Sequence, residues 1–265
     1  MNMTSLQAHL SRISKEVSLP RSHADYLWKL RESGFNPKVI YDIGSCVLHW
    51  THVAQKVWPE AEIILFDAFS PAMFLYKDYD YFIGVLSDQD DKDIKFYQND
   101  FFPGGNSYYR EVGSRGHVFF PPETYIEWKS RSLDSVVWER QFPLPDLIKL
   151  DVQGAEKDII AGGRSVVRHA QRLIVEMQDV EYNEGAPKVM ETLPFIESLG
   201  FRCCDPKFSD NGPDADYGFI SRSAERRDFL LDTTHMLGPG PPFKILPCPL
   251  SKYGEGGIPD GDEQC

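Results

Sequence analysis

Three polar side chains stand at the end of an apolar run in the middle of the sequence. The run covers residues 147–152, and Asp151, Gln153 and Glu156 lie at its end and just beyond it. A carboxylate in this position can accept the proton of an alcohol, or orient a substrate, during a group-transfer reaction. We predict that Asp151 or Glu156 is the catalytic base or substrate orienter. The same spacing also fits carboxylates that only cap a helix and complement its dipole.

Other side chains are candidates for the same proton. Glu176 ends the next predicted strand, and His49 and His52 follow the first strand, although histidines in a helix more often pack or face solvent. Asp151, Glu176 and a water would also offer oxygen ligands to a divalent cation. Because the sequence shows no third or fourth protein ligand, we predict no metal site.

Two earlier strand ends carry groups that suit a nucleoside. The first strand ends in Asp42-Ile-Gly44-Ser45. A glycine there lets the backbone approach a ligand closely, and the helix that follows offers its free N–H groups. The second strand ends in Asp67, where a carboxylate can accept hydrogen bonds from both hydroxyls of a ribose.

The third strand completes the predicted nucleoside site. It ends in Ser87 and Asp88, placed to reach an adenine edge. A dinucleotide-binding turn would need the pattern Gly-x-Gly-x-x-Gly after the first strand, and residues 45–48 contain no second or third glycine. A cofactor without phosphates therefore fits better, and S-adenosylmethionine is such a cofactor.

The elements that must position these groups alternate between strands and helices. Helical patterns separate the predicted strands, which lie at residues 39–42, 62–67, 81–86, 147–152 and 172–176. Such alternation predicts an α/β domain with a mostly parallel sheet. The last two strands, at 201–204 and 217–220, have no helix between them and predict an antiparallel finish. A short run at 94–97 predicts an edge strand or hairpin arm.

We divide the chain into a helical lead-in (1–36), one α/β domain (37–223) and a Pro/Gly-rich C-terminal tail (224–265). The segment 99–122 has no clear period and is long for a structureless loop, which predicts a functional role. Its aromatic and polar residues at 101–109 suit stacking against a sugar face, and they equally suit a packed surface loop.

Composition limits the partners of the protein. The net charge of −12 argues against a nucleic-acid binder or an anionic membrane, because both need a basic face. No apolar run approaches the about 20 residues of a membrane-spanning helix, and the N-terminus lacks the apolar core of a signal peptide. The 5 cysteines are odd in number and contain no CxxC pair, which indicates reduced thiols. We therefore expect a cytoplasmic protein whose partner is a small molecule and not a nucleic acid or a membrane.

Several short motifs are shared with one known family. They are Asp42-Ile-Gly44, Phe66-Asp67-Ala68, Val85-Leu-Ser-Asp88, Arg131-Ser-Leu-Asp134 and, most specific, Ile148-Lys-Leu-Asp-Val-Gln-Gly-Ala-Glu156. On these motifs the chain resembles the FkbM family of S-adenosylmethionine-dependent methyltransferases over residues 37–222. The resemblance implies a class I methyltransferase fold: a Rossmann-like, mostly parallel seven-stranded sheet with helices on both faces and the last strand inserted antiparallel. It also implies methylation of a hydroxyl on a sugar or similar metabolite.

The resemblance also implies two groups of site residues. The cofactor-binding group is Asp42, Gly44, Ser45, Asp67, Ser87, Asp88 and Gln153. The catalytic group at the methyl-transfer face is Asp151 and Glu156. Asp42 and Gly44 would face the methionine part of the cofactor, and Asp67, where the family usually has Glu, would hold the ribose. Ser87 and Asp88 would lie beside the adenine.

The turn after the first strand departs from the family pattern. The family usually has Ala-Asn-x-Gly there, and this chain has Ser45-Cys46-Val47-Leu48. Leu48 in place of glycine would either narrow the cofactor pocket or pack the helix differently. The departure supports a second hypothesis, a non-catalytic binding module with a degenerate methyltransferase fold. A third, a nicotinamide-dependent oxidoreductase, is disfavoured by the missing glycines.

Overall fold

A central β-sheet organises the fold. The structure, a computed structural model, describes residues 3–16, 19–112, 116–210 and 212–225. The chain divides into two units, residues 1–227 and 228–265. From residue 226 onwards the predicted C-terminal tail lies outside the described residues, as do Cys248 and Cys265. The three cysteines within the described residues are free thiols.

The described residues form eleven strands. In chain order they are β1 Val39–Ile43, β2 Glu62–Asp67, β3 Asp80–Ile83, β4 Leu86–Ser87, β5 Asp93–Phe96, β6 Ile126–Lys129, β7 Arg131–Ser132, β8 Leu147–Leu150, β9 Arg172–Gln178, β10 Phe201–Asp210 and β11 Asp214–Ser221. Seven of them make the central sheet, in the order β10-β11-β9-β8-β1-β2-β3. All its neighbouring strands are parallel except β11, which runs antiparallel to both β9 and β10. The predicted seven-stranded sheet with its antiparallel insertion is confirmed.

Eight α-helices accompany the sheet in the described chain. They are α1 Met3–Glu16, α2 Arg21–Glu32, α3 His49–Val57, α4 Gly116–Phe119, α5 Leu133–Arg140, α6 Glu156–Gly162, α7 Arg164–Val167 and α8 Val189–Ser198. Between the second and third predicted strands, where a helical pattern was expected, the segment Ser70–Leu75 is a 3-10 helix, a form that is frequent in connectors. No described helix has the length and apolar character needed to cross a membrane.

The core lies on both faces of the sheet because successive strand residues point to opposite sides. In β1, Tyr41 and Ile43 pack against buried residues of α5 to α8. Ile40 of the same strand packs on the other face of the sheet, with Leu10 of α1 and with residues of α2 and α3. The expectation of helices on both faces is confirmed.

The predicted third strand, residues 81–86, is divided between two sheets. β3 ends at Ile83, and β4 pairs with β7 in a separate two-stranded sheet. The chain therefore leaves the central sheet before it reaches Ser87 and Asp88, which changes where those side chains lie. The predicted hairpin arm is β5, which pairs antiparallel with β6.

Candidate active site

A cavity opens at the carboxyl ends of β1, β2 and β8, the edge where open α/β sheets bind ligands. Five of the predicted site residues line it: Gly44, Ser45, Asp67, Asp151 and Gln153. Four others do not line it: Asp42, Ser87, Asp88 and Glu156. The loop 99–122 supplies part of the wall with Pro103, Gly104, Asn106, Ser107 and Tyr108.

Gly44 is required by a close approach of two backbones. Its φ is +84°, and a Cβ atom on it would lie 1.9 Å from the carbonyl oxygen of Asp151. The glycine thus lets the turn after β1 pack against the end of β8. Cys46 and Leu48, which follow in the same turn, also have positive φ values, of 45° and 71°. Non-glycine residues seldom adopt such values.

Leu48 does not narrow the cavity. Its side chain is 3% exposed, packs with the core residues of α3, and is not part of the described cavity wall. The departure from the family pattern therefore affects packing and not the width of the cavity, because Leu48 lies in the core at the start of α3. The helix begins at His49, because Leu48 itself takes the left-handed conformation.

Asp67 presents a fixed carboxylate to the cavity. The backbone N–H of Cys46 donates to its Oδ2 at 2.6 Å, and that of Phe69 donates to its Oδ1 at 2.7 Å. Burial raises the pKa of Asp67, while these two hydrogen bonds act in the opposite direction. Each carboxylate oxygen keeps a further lone pair, so both can still accept from a ligand hydroxyl.

Lys149 lies beneath the cavity between two carboxylates. It is 3% exposed, and its Nζ is 3.3 Å from both Asp42 Oδ1 and Asp151 Oδ2. It also donates to the carbonyl oxygen of Gly44 at 3.1 Å. Burial alone would lower the pKa of Lys149, but the charges of Asp151 and Asp42 outweigh it and raise the pKa. Lys149 is therefore a buried cation that ties β1 to β8.

Asp42 serves this ion pair and does not reach the cavity. It is fully buried, and the Thr51 hydroxyl of α3 donates to its Oδ2 at 2.5 Å. Asp42 and Lys149 are direct partners in the β1–β8 register. Since alternate strand residues face opposite sides, Asp42 points with Ile40 toward α3, which takes its carboxylate away from the predicted methionine contact.

The residues after β8 place an anionic carboxylate at the cavity. Gln153 Nε2 donates to Asp151 Oδ1 at 3.1 Å and to Glu176 Oε2 at 2.8 Å. Burial raises the pKa of Asp151, but the charge of Lys149 and the hydrogen bonds outweigh it and hold the pKa below its usual value. Burial and the charge of Asp151 raise the pKa of Glu176 well above its usual value. These opposite directions favour the negative charge on Asp151 over Glu176.

Glu156 caps the turn that leads into α6. Its Oε1 accepts from the backbone N–H of Val152 at 2.9 Å and of Gly154 at 3.2 Å, and the residue is 5% exposed. This is the capping role that we weighed against catalysis. Burial raises the pKa of Glu156 to about 7.

Replacing Glu156 with glutamine is expected to leave stability nearly unchanged at about pH 5 and to raise it by about 3 kcal/mol at about pH 8. The folded pKa lies above the unfolded value, so the stability that Glu156 contributes is present at low pH and is lost as the pH rises through about 7. Glutamine keeps an Oε1 acceptor for both N–H groups and never ionises. Urea unfolding at the two pH values measures the difference, with the exposed Glu191→Gln as the control. Equal pH dependence in the wild type and the Glu156→Gln variant would contradict this role.

Ser87 and Asp88 lie outside the cavity wall because the chain has already turned into β4. Ser87 is buried and donates to Asp88 Oδ1 at 3.1 Å, and Lys92 donates to the same oxygen at 2.8 Å. The cavity wall beyond β3 is formed instead by Gly84, Val85 and Leu86.

Two residues of the site were missed from the sequence. Lys149 was passed over as part of an apolar run, although a lysine between Ile148 and Leu150 is itself an unusual signal in a buried strand. Tyr108 lines the cavity, and its hydroxyl donates to Asp158 Oδ2 at 3.1 Å. No sequence pattern indicated Tyr108 individually, because it lies in the loop without a period.

The cavity suits a nucleoside cofactor that carries no phosphates. Asp67 supplies a carboxylate for a ribose, and Val85 and Leu86 supply an apolar wall. Among the described lining residues Lys149 is the one lysine or arginine, and two carboxylates already pair with it. These residues therefore leave no cationic side chain for a pyrophosphate, which again disfavours a nicotinamide dinucleotide.

Comparisons with known proteins agree with this chemistry. The profile of the "Methyltransferase FkbM domain" matches residues 42–203. A curated relative, 2-O-methyltransferase NoeI from Sinorhizobium fredii (strain NBRC 101917 / NGR234), is 36% identical over 74 residues. That match covers 28% of this chain and 30% of the relative, so the chain spans less than a third of the curated protein that it matches.

Solved structures with a similar fold include two bacterial enzymes. Methyltransferase FkbM from Methylobacillus flagellatus KT aligns with a TM-score of 0.44 and 10% identity, over 80% of this chain and 58% of that one. A putative O-methyltransferase from Klebsiella pneumoniae aligns with a TM-score of 0.45 and 10% identity, over 83% of this chain and 88% of that one. Because the family profile covers more than half of the sequence, the chain belongs to the FkbM family of S-adenosylmethionine-dependent methyltransferases, as its motifs predicted.

Proposed function

We propose that the protein transfers the methyl group of S-adenosylmethionine to a hydroxyl of a small acceptor such as a sugar. The observation that carries this proposal is that two carboxylates, Asp151 and Asp67, line one cavity at the carboxyl ends of β8 and β2. Methyl transfer needs a cofactor site and a proton acceptor next to each other, and this cavity offers both. The name of the curated relative, a 2-O-methyltransferase, supports a hydroxyl as the acceptor group.

The cofactor side of the cavity would be held by the turns after β1 and β2. Asp67 would accept hydrogen bonds from the ribose hydroxyls, since its two oxygens are fixed by backbone donors and keep free lone pairs. Gly44 and Ser45 would form the neighbouring wall. S-Adenosylmethionine, when bound, supplies an electrophilic methyl group on its sulfonium sulfur.

Asp151 would bind the acceptor hydroxyl and receive its proton. Lys149 and Gln153 hold its two carboxylate oxygens and fix its orientation, which favours the alignment that an in-line displacement requires. The lowered pKa makes Asp151 a weak base, and a weak base is sufficient here, because an alcohol oxygen becomes strongly acidic as it gains a methyl group. Its main contribution is therefore positioning, followed by acceptance of the proton.

The non-catalytic alternative loses the feature that supported it. It depended on Leu48 obstructing the cofactor pocket, and Leu48 packs in the core outside the described cavity wall. The described residues give no other observation that favours a binding module over an enzyme.

A thermal-shift experiment with S-adenosylhomocysteine tests the cofactor site. The product should raise the Tm of the wild type, because a ligand that binds only the folded state stabilises it by about 2.7 kcal/mol at a hundredfold excess over Kd. Asp67→Asn should abolish the shift, because an amide cannot accept from two vicinal hydroxyls with both atoms. Asp88→Asn is the matched control and should keep it, since Asp88 lies outside the cavity wall. No shift of the wild type at millimolar product would overturn the proposed function.

A further inference from the structure

A second cavity adjoins the first one at the loop 99–122. Its described lining consists of Phe102, Gly104, Gly105, Glu111, Phe119, Phe120 and Tyr182. Gly104 lines both cavities, so the short 3-10 segment Pro103–Gly105 is the partition between them. The two cavities therefore lie on either side of one short backbone segment.

The floor of the second cavity is built by two chain segments that are far apart in the sequence. Glu111 pairs antiparallel with Asn183, and the backbone N–H of Val112 donates to the carbonyl oxygen of Tyr182 at 2.9 Å. Asn183 is fully buried, and its side chain donates to the carbonyl oxygen of Tyr109 at 2.7 Å. These contacts give the floor a defined shape.

Glu111 is a buried carboxylate in the wall of the second cavity. It is 9% exposed. A Cβ atom at Gly105 would lie 2.6 Å from its Oε2, so a larger residue there would collide with the carboxylate. The Tyr182 hydroxyl donates to Glu111, and burial and this hydrogen bond raise the pKa of Tyr182.

Aromatic rings complete the wall around this carboxylate. Phe102 and Phe119 contact each other with ring centroids 4.4 Å apart, and Phe102 is 54% exposed. Ring faces attract cations through their quadrupoles, and a buried carboxylate binds a cation through charge-assisted hydrogen bonds. Both features repel an anionic group, and the net charge of −12 acts in the same direction.

We propose that the second cavity binds an ammonium group of the methyl acceptor, which would then be a molecule that carries both a reacting hydroxyl and an amine. Glu111 makes the ion pair, Tyr182 orients the carboxylate, and Phe102 and Phe119 cover the cation. This inference rests on the proposed function, because it assigns the other end of the same acceptor.

Three probes of similar size separate the possible chemistries: 4-aminocyclohexanol, 1,4-cyclohexanediol and 4-hydroxycyclohexanecarboxylate. Each carries one ring and one hydroxyl, and at neutral pH they bear a positive charge, no charge and a negative charge. Their affinities are measured by ligand-observed NMR with S-adenosylhomocysteine present. We expect the amine to bind about tenfold more tightly than the diol, since a charged hydrogen bond is about twice as strong as a neutral one. The carboxylate should bind most weakly.

Two variants localise the effect. Glu111→Gln should reduce the preference for the amine to less than about threefold. Glu123→Gln removes one exposed carboxylate from the same region without touching the cavity and should keep the full preference. Equal binding of the amine and the diol, no binding of the amine, or an unchanged preference in Glu111→Gln would each overturn the ammonium site. In every case a retained Tm shift with S-adenosylhomocysteine shows that the cofactor proposal stands independently.

Discussion

Replacing Lys149 with methionine is expected to destabilise the protein by about 3–5 kcal/mol, a large fraction of the about 5–15 kcal/mol by which folded proteins are usually stable. Lys149 forms ion pairs with two carboxylates at once, and it is 3% exposed. Methionine has a similar volume, so the variant removes the charge with little change in packing. Asp42, which is fully buried, would lose its cation and keep one hydrogen bond, from Thr51.

The size of this effect comes from the carboxylate that is left behind. Removing one partner of a buried ion pair leaves the other charge uncompensated in a medium that solvates it poorly. The resulting loss of folding free energy is larger than the net contribution of the intact pair. The double variant Lys149→Met/Asp42→Asn should therefore recover part of the loss, because asparagine can still accept from the Thr51 hydroxyl and carries no charge.

Urea unfolding measures both variants, with Lys157→Met as the control. Lys157 pairs with Glu191 at 3.4 Å near the surface, where such pairs contribute less than about 1 kcal/mol. If Lys149→Met were destabilised no more than Lys157→Met, Asp42 would not depend on Lys149 for its charge compensation.

The sequence was sufficient to predict the sheet and the edge at which ligands bind. Apolar runs at regular spacing predicted the strands, and acidic residues at the ends of five of them predicted a cluster at their carboxyl ends. Of these, Asp67 and Asp151 line the cavity. The apolar runs did not reveal to which face of the sheet each side chain points. Asp42 lies one residue inside the end of β1, and the two-residue period takes its side chain to the face that α3 covers.

Contacts between distant segments account for the rest of what the sequence could not predict. The third predicted strand was expected to be continuous over residues 81–86, but the chain changes sheets after Ile83. Ser87 therefore lies outside the cavity wall. The pairing of Glu111 with Asn183 has no local pattern at all. Its strength depends on tertiary contacts that neither segment encodes alone, and so the second cavity was not predictable.

Replacing Asp151 with asparagine is expected to lower kcat by about 10²- to 10⁴-fold, the usual contribution of a positioned proton acceptor. Asparagine keeps an oxygen that can accept from Gln153, so the turn should retain its shape. Lys149 keeps Asp42 as its partner, which leaves the buried charges balanced and the fold intact. The Tm shift with S-adenosylhomocysteine should therefore persist, and it separates a catalytic loss from a loss of cofactor binding.

The matched comparison is Glu156→Gln, because the sequence alone left Asp151 and Glu156 as equal candidates for the base. Glu156 has its Oε1 bound to two backbone N–H groups and does not line the cavity, so its variant should keep kcat within about threefold of the wild type. Transfer of labelled methyl groups to the first acceptor found in a screen of sugars and amino alcohols measures both variants. A loss of kcat in Glu156→Gln as large as that in Asp151→Asn would contradict the assignment of the proton acceptor to Asp151 alone. The physical distinction is access to the substrate: Asp151 lies in the cavity wall with its side chain 38% exposed, whereas Glu156 is 5% exposed and does not line the cavity.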